Sequence, residues 1–190
     1  MSCVIVHGPK GVGKTKTCLG LAERVSAEGL SPGGIVSPAV FIDGEKIGYD
    51  CLDMASGVAF PLVRLRNMVG GPSWFPHGNI MYAFSVSGFE RANRLLTHSA
   101  QALGEDSLVF VDEFGRLEME GMGFYSGAVR VAETLNQGGV AVFACRTDAL
   151  DAVKELVVGR TRTVKEFKSG ETDVIWQYIS SVLSKNSEPK

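Results

Sequence analysis

The chain has 190 residues, a formal net charge of -2 at pH 7 and a hydrophobic fraction of 45%. This length suits one sizeable core and is short for two, so we predict a single nucleotide-binding domain over residues 1–184 and a polar tail at residues 185–190. The near-neutral charge argues against nucleic acid as a partner, and no apolar run approaches the roughly 20 residues that a membrane span needs.

The N-terminal stretch predicts a strand, a phosphate-binding loop and the start of a helix. The β-branched run Val4–Val6 leads into Gly8–Thr15, which fits the pattern G-x-x-x-x-G-K-S/T. In such a loop the backbone N–H groups and the helix N-terminus face an anion. We therefore expect Lys14 to reach the β- and γ-phosphates and the Thr15 hydroxyl to bind Mg²⁺. The predicted nucleotide-binding residues are Gly8, Pro9, Lys10, Gly11, Val12, Gly13, Lys14, Thr15 and Lys16.

A helix and then a hairpin are predicted after this loop. Apolar residues at helical spacing continue from Lys14 to about Glu28, and Gly29 is a suitable stop. Two apolar-rich runs, 35–42 and 46–54, flank Asp43-Gly44. This dipeptide between strand-like runs indicates a β-hairpin inserted after the first helix.

The segment that follows is the least regular part of the chain. The run Phe60–Leu65 predicts one further short strand, whereas glycines and prolines in Gly70–Asn79 exclude a long regular element there. Trp74 and Phe75 within this segment are costly to leave in water. They fit either a lid that contacts the ligand or a plug that folds back onto the edge of the core.

The second half of the chain alternates apolar strands with amphipathic helices. The predicted elements are a helix capped by Ser87 that runs to Leu103, a strand at Leu108–Val111, a helix from Met122 to about Leu135, a strand at Val140–Ala144, a helix capped near Thr147 or Asp148, a strand at Thr161–Phe167 and a last helix along Val174–Leu183. This alternation predicts an α/β fold of the P-loop NTPase type, with a mainly parallel central sheet flanked by helices. Ligands of such sheets bind beyond the carboxyl ends of the strands.

An acidic pair follows the fully apolar strand Leu108–Val111, as in the Walker B pattern. Asp112 at the strand end is predicted to hold Mg²⁺ opposite Thr15. Glu113 is predicted to be the catalytic base that polarises the attacking water. Arg116 fits either a contact with a phosphate oxygen or a solvated surface position, and the spacing leaves both open. Further candidates to stabilise charge on the γ-phosphate are Arg64, Arg66, Arg91, Arg94, Arg146 and Arg160, and spacing does not choose among them.

The cysteine spacing indicates the redox state of the cellular compartment. Cys3, Cys18, Cys51 and Cys145 show neither a C-x-x-C pair nor a metal-ligand spacing. Because the first predicted strand leaves no room for a targeting peptide, we expect reduced, mostly buried thiols in a cytoplasmic protein.

Three stretches together resemble one family. They are Gly8–Thr15, Gly34–Asp50 and Val109–Glu118. The resemblance is to the small phosphate-loop nucleoside-triphosphatases of the thermophile type, which include the cancer-related nucleoside-triphosphatase. It implies Mg²⁺-dependent hydrolysis of nucleoside triphosphates such as ATP and GTP, with loose base preference.

The resemblance also assigns residues. It implies Lys14 and Thr15 as phosphate and metal residues, Asp112 as the metal acid and Glu113 as the base. Arg116 stands where the family usually has lysine, which keeps the charge and changes the donor geometry. The chain departs from the family pattern at Phe41, around Tyr82 and at Glu171-Thr172, in regions expected to form the base pocket or lid.

Two other functions share the same phosphate loop. A small-molecule or nucleotide kinase would need an acceptor site, which Trp74 and nearby arginines are candidates to line. A slow nucleotide-dependent switch or accessory protein would bind nucleotide tightly and turn over little. The sequence identifies no protein partner for either.

Overall fold

In the computed structural model, residues 2–104 and 107–186 are described, and their strands form one ten-stranded sheet. The strands are β1 (Ser2–His7), β2 (Pro32–Val36), β3 (Ala39–Ile42), β4 (Glu45–Asp53), β5 (Ala59–Leu65), β6 (Trp74–Pro76), β7 (Tyr82–Ser85), β8 (Leu108–Phe114), β9 (Val140–Cys145) and β10 (Thr163–Lys168). The helices are α1 (Lys14–Ala27), α2 (Val86–Gln101), α3 (Arg116–Met119), α4 (Tyr125–Thr134), α5 (Leu150–Val157) and α6 (Thr172–Asn186). Among these described helices, none has both the length and the apolar character that crossing a membrane requires.

The sheet has a parallel part and an antiparallel part. Its order is β10-β1-β9-β8-β2-β4-β5-β7-β6, and β3 pairs with β4 beside this path. The five strands from β10 to β2 run parallel, because helical crossovers connect them. From β4 onward the neighbours are antiparallel. The predicted α/β fold with its parallel central sheet and inserted hairpin is confirmed.

Both faces of the parallel part are buried. Val109 and Val111 of β8 face a core that α2, α4 and α5 cover. Leu108 and Phe110 of the same strand face a second core, formed with α1 and α6. Burial on both faces explains why these strands are continuous apolar runs rather than alternating ones.

The predicted strand at 35–42 is two strands in the structure. Pro38 lies in the break and carries no N–H to donate to a ladder. The first part, β2, pairs in parallel with β8 and antiparallel with β4, and the second part, β3, pairs with β4 next to the predicted turn. Asp43 and Gly44 both have positive φ, 51° and 81°, as the tight turn between β3 and β4 requires.

The prediction of Ser87 as the helix cap is wrong. Helix α2 begins at Val86, and the Ser85 hydroxyl accepts a hydrogen bond from the N–H of Gly88 at 3.0 Å. Because β7 ends at Ser85, the helix starts directly from the strand and the first suitable side chain is used.

The predicted cap at Thr147 or Asp148 is also wrong. These residues form a 3₁₀ turn ahead of α5, and no side chain caps either element. The Asp148 carboxylate is instead paired with the guanidinium of Arg146. The predicted polar tail begins inside α6, and its residues 187–190 lie outside the described residues.

Phe75 takes the second of the two roles considered for the irregular segment. It lies in β6, the edge strand, and its ring is 5.6 Å from that of Phe84 and 6.4 Å from that of Phe89. It therefore covers the edge of the core. Trp74, on the same short strand, is half-buried.

Replacement of Gly34 by alanine is expected to destabilise the fold strongly. A Cβ at Gly34 would lie 2.1 Å from the carbonyl oxygen of Phe110, and the residue also has φ +85°. We expect Gly34→Ala to cost about 1–2 kcal/mol for the left-handed backbone and about 1–3 kcal/mol more for the clash. Urea unfolding measures the change in unfolding free energy.

Gly44→Ala is the matched control. Gly44 has a similar φ of +81°, but a Cβ there meets nothing within 4 Å. Its cost should be limited to the backbone part. Equal losses in the two variants would contradict the role assigned to close packing at Gly34.

Candidate functional site

The predicted phosphate loop joins β1 to α1 at the carboxyl edge of the parallel strands. Gly11 and Gly13 take positive φ within it, and Gly13 directly precedes the helix. Lys14 is 3% exposed, and its Nζ donates to the carbonyl oxygens of Gly8 at 3.2 Å and Pro9 at 3.1 Å. The ammonium group is thus held within the loop, where phosphate oxygens could replace those carbonyl partners.

Asp112 and Thr15 are 97 residues apart in sequence and in direct contact. The Thr15 hydroxyl donates to Asp112 Oδ2 at 2.7 Å. The N–H of Ser37 donates to the same oxygen at 3.0 Å, and the N–H of Glu113 donates to Oδ1 at 2.9 Å. Asp112 is fully buried, and its burial together with the neighbouring Glu113 charge raises its pKa to about 7, although the three hydrogen bonds act in the opposite direction.

A β-bulge separates Glu113 from the regular ladder. Val111 pairs with Phe143 and Phe114 with Cys145, so β8 advances three residues while β9 advances two. Phe114 consequently packs in the same core as Val111, although strict alternation would put it on the opposite face. Glu113 has φ +61°, a conformation that is costly for a residue with a side chain and that is often found at functional sites. Its side chain lines a cavity instead of the core.

This cavity of about 200 Å³ lies beside the phosphate loop. Buried apolar side chains form much of its wall: Leu62, Val63, Phe84, Phe89, Leu117 and Phe124. They belong to β5, β7, α2, α3 and the segment before α4. Because these segments are far apart in sequence, spacing alone could not have identified the cavity. Trp74, considered as a lining residue for an acceptor site, is not among the residues around it.

Arg116 and Arg146 both line this cavity. Arg116 is exposed, and its Nε lies 3.1 Å from a carboxylate oxygen of Glu120. Arg146 lies at the end of β9 and pairs with Asp148. Sequence reasoning could not choose between Arg146 and the other arginines, because its position depends on the pairing of β9 with β8.

Other candidate arginines have structural partners. Arg64 pairs with the Asp50 carboxylate and with main-chain carbonyls, and Arg160 donates to the carbonyl of Leu156. The guanidinium of Arg91 lies 4.2 Å from the centre of the Phe60 ring.

The two remaining lysines of the predicted nucleotide site lie on its outer side. Lys10 lines the cavity, with its Nζ 5.9 Å from the centre of the Tyr82 ring. Lys16 is exposed on the first turn of α1.

A turn after β10 supports the phosphate loop from the other side. The Thr17 hydroxyl accepts a hydrogen bond from the N–H of Gly170 at 3.1 Å, and the Ser169 hydroxyl donates to the carbonyl of Val12 at 3.3 Å. Sequence reasoning missed this support, because the paired residues are more than 150 positions apart.

Glu118 is a buried acid to which sequence reasoning assigned no role. It is 3% exposed, and its carboxylate accepts hydrogen bonds from the N–H groups of Gly115 at 3.0 Å and Phe124 at 3.2 Å. It thereby fixes the short helix α3 that carries Arg116. Burial raises the pKa of Glu118 to about 7.

Known proteins that are similar to this chain in sequence or in fold share one description, nucleoside-triphosphatase. The model of a family described as NTPase matches residues 3–179. The chain is 29% identical over 130 residues to the nucleoside-triphosphatase THEP1 of Methanopyrus kandleri, which covers 68% of this chain and 67% of that protein. It is 25% identical over 155 residues to the protein of the same name from Methanothermobacter thermautotrophicus, covering 80% of each. The solution structure of a human cancer-related nucleoside triphosphatase matches 100% of both chains with a TM-score of 0.71 at 22% identity, which shows a shared fold.

Glu118 should make the stability of the protein depend on pH. Its folded-state pKa of about 7 is above the ordinary value of 4.5, so the folded state keeps a proton that the unfolded state loses. Stability from this group is therefore present at low pH and is lost as the pH rises towards 7 and above. Relative to Glu118→Gln, we expect the unfolding free energy of the wild type to fall by about 2–3 kcal/mol between pH 5 and 8.

Urea unfolding at several pH values measures this difference. Glu120→Gln is the control, because its carboxylate is exposed and ion-paired rather than buried. Parallel stability curves for the wild type and Glu118→Gln would refute the assignment.

Proposed function

The chain belongs to the NTPase family and is a nucleoside-triphosphatase; on that premise we propose that it hydrolyses ATP and GTP to the diphosphate and inorganic phosphate with Mg²⁺ as cofactor. One observation carries the proposal. The hydroxyl of Thr15, at the end of the phosphate loop, lies 2.7 Å from the buried carboxylate of Asp112, with Glu113 next to it. The loop, the acid proposed to bind the metal and the proposed base are thus next to one another.

Binding relies on the loop and on Lys14. Backbone N–H groups at the N-terminus of α1 carry partial positive charge, which favours phosphate there. Lys14 exchanges its carbonyl partners for β- and γ-phosphate oxygens. All of these groups act on the triphosphate, which ATP and GTP share, and this supports tolerance of both bases.

The residues present fit Mg²⁺. Thr15 and Asp112 offer hard oxygen donors, and Mg²⁺ is commonly held by one or two carboxylates together with phosphate oxygens. When bound, Mg²⁺ would neutralise charge on the β- and γ-phosphate oxygens. The hydrogen bonds from Ser37 and Glu113 hold the Asp112 carboxylate in one orientation for this purpose.

Glu113 is the proposed base. Its carboxylate accepts a proton from water as the water oxygen attacks the γ-phosphorus atom, and the bond to the bridging oxygen breaks. Lys14 and the guanidinium groups of Arg116 and Arg146 stabilise charge on the phosphoryl group. The bulge supports this assignment, because it removes Glu113 from the ladder and turns it towards the cavity.

The compartment is part of the same proposal. The four cysteines are free and buried, as expected from the sequence. Free thiols are the usual state in a reducing compartment, which supports a cytoplasmic location.

Glu113→Gln should separate binding from hydrolysis. The amide cannot accept the proton from water, so we expect kcat for phosphate release to fall about 10²–10⁴-fold while nucleotide affinity is retained. Lys14→Ala should lose both, because its ammonium group binds the ground-state phosphates as well. Phosphate release and calorimetric titration with ATP measure the two properties.

Glu133→Gln serves as the control for this pair of variants. Glu133 is a surface residue that pairs with Arg130 on α4 and does not line the cavity. It should match the wild type in both measurements. Hydrolysis by Glu113→Gln at the wild-type rate would refute the role of Glu113 as base.

Removal of Mg²⁺ should abolish hydrolysis, and Asp112→Asn should weaken the response to the metal. The amide carries no charge to attract the cation, so we expect the Mg²⁺ concentration at half-maximal activity to rise about 10–100-fold. Phosphate release from ATP and GTP is measured against Mg²⁺ concentration after treatment with a chelator. Full activity of the chelated wild type would contradict the proposed cofactor.

A further inference from the structure

We propose that the cavity beside Glu113 is an acceptor site for a small alcohol with one apolar ring, to which the protein transfers the γ-phosphoryl group of the bound nucleotide. This inference rests on the proposed function, since it uses the same phosphate loop and the same base. It adds a second substrate, of which the nucleotide-binding residues give no indication.

The size and the apolar wall of the cavity indicate that the acceptor carries an apolar ring. An apolar cavity of about 150 Å³ binds benzene, so the volume of about 200 Å³ leaves room for a ring with a short substituent. The wall includes the buried rings of Phe84, Phe89 and Phe124 and the buried side chains of Leu62 and Leu117. Water alone gains little from such a wall, whereas an apolar ring is stabilised by leaving water.

Two polar residues that line the cavity indicate that the acceptor carries a hydroxyl group. Glu113 is the proposed base, and its side chain is part of the lining. Ser37 is 1% exposed, and its hydroxyl has no hydrogen-bond partner among the described residues. A buried hydroxyl without a partner is costly, so a ligand hydroxyl at this end of the cavity would stabilise the complex.

The position of the cavity separates it from the nucleoside. Glu113 and Arg116 act at the γ-phosphate, which is the end of the triphosphate furthest from the nucleoside. The cavity is lined by both residues. We therefore infer that it lies on the γ-phosphate side and remains available when the nucleotide is bound. Arg146 and Lys10 also lie around it and add positive charge where the phosphoryl group would move.

The transfer follows the same steps as hydrolysis. The acceptor hydroxyl gives its proton to the Glu113 carboxylate while its oxygen forms a bond to the γ-phosphorus atom. The bond between that atom and the bridging oxygen breaks, and the electron pair stays on the β-phosphate. The products are a nucleoside diphosphate and a phosphate monoester of the alcohol. Water takes the place of the hydroxyl when the cavity holds no alcohol.

The test measures how the γ-phosphate divides between water and alcohol. The wild type is incubated with ATP and Mg²⁺ and with benzyl alcohol, cyclohexylmethanol or methanol at equal concentration. Phosphorus NMR then gives the ratio of phosphate monoester to inorganic phosphate. We expect this ratio to be at least about 30-fold higher with the ring alcohols than with methanol, because only their rings contact the apolar wall of the cavity.

Two neighbouring substitutions test the site itself. Ile80 lines the cavity and is 37% exposed, so a larger side chain can be placed there without disturbing the core. Ile80→Trp should lower the ester-to-phosphate ratio for the ring alcohols at least about tenfold, since the indole occupies the cavity. Met81, the next residue, is 64% exposed and does not line the cavity, so Met81→Trp should keep the wild-type ratio.

The outcomes distinguish the two proposals. Phosphate release with an ester ratio no higher for ring alcohols than for methanol overturns the acceptor site and leaves hydrolysis standing. Equal ratios in Ile80→Trp and Met81→Trp overturn the placement of the acceptor in this cavity. If neither phosphate nor ester forms in any mixture, the proposed function fails and the acceptor site fails with it.

Discussion

The buried carboxylate of Asp112 is the constraint on which the site depends. Removing a carboxylate from water is expensive, and here hydrogen bonds from Thr15, Ser37 and the N–H of Glu113 offset that cost. These donors come from the start of α1, the end of β2 and β8, so one side chain ties three segments together at the edge of the sheet. A cation bound there would replace part of the lost hydration. We infer that Asp112 is buried despite this desolvation cost because its carboxylate binds a ligand.

The parallel and antiparallel parts of the sheet contribute different parts of the candidate site. The parallel strands end where the phosphate loop and Asp112 meet, as expected for nucleotide sites in such sheets. The antiparallel strands β5 and β7, together with α2, supply much of the apolar wall next to Glu113. The bulge in β8 lies between these two parts of the site. It places Glu113 between the charged phosphate loop and the apolar wall of the cavity. The inserted antiparallel strands thus add a cavity beside the predicted phosphate loop.

If the proposed acceptor site is correct, the attacking group is water or an alcohol depending on whether the cavity beside Glu113 is occupied. The groups that stabilise the transferring phosphoryl group are the same for water and for an alcohol. What differs is whether the attacking oxygen is held by an apolar body beside Glu113. On that proposal, we expect hydrolysis when the cavity holds no alcohol, and we expect changes in the cavity wall to alter the acceptor without any change in the phosphate loop.

The sequence by itself determined the features that depend on neighbouring residues. The loop Gly8–Thr15, the acidic pair after the apolar run of β8 and the turn at Asp43-Gly44 were predictable, because local backbone conformation and short spacing define each of them. Helix limits were less secure: Ser85 rather than Ser87 caps α2, because the end of β7 decides where the helix starts. Only the tertiary structure decided the cavity, the place of Arg146 and the bulge at Glu113. These depend on strand order and register, through which residues more than 30 positions apart come into contact, and no local pattern in the chain encodes such pairings.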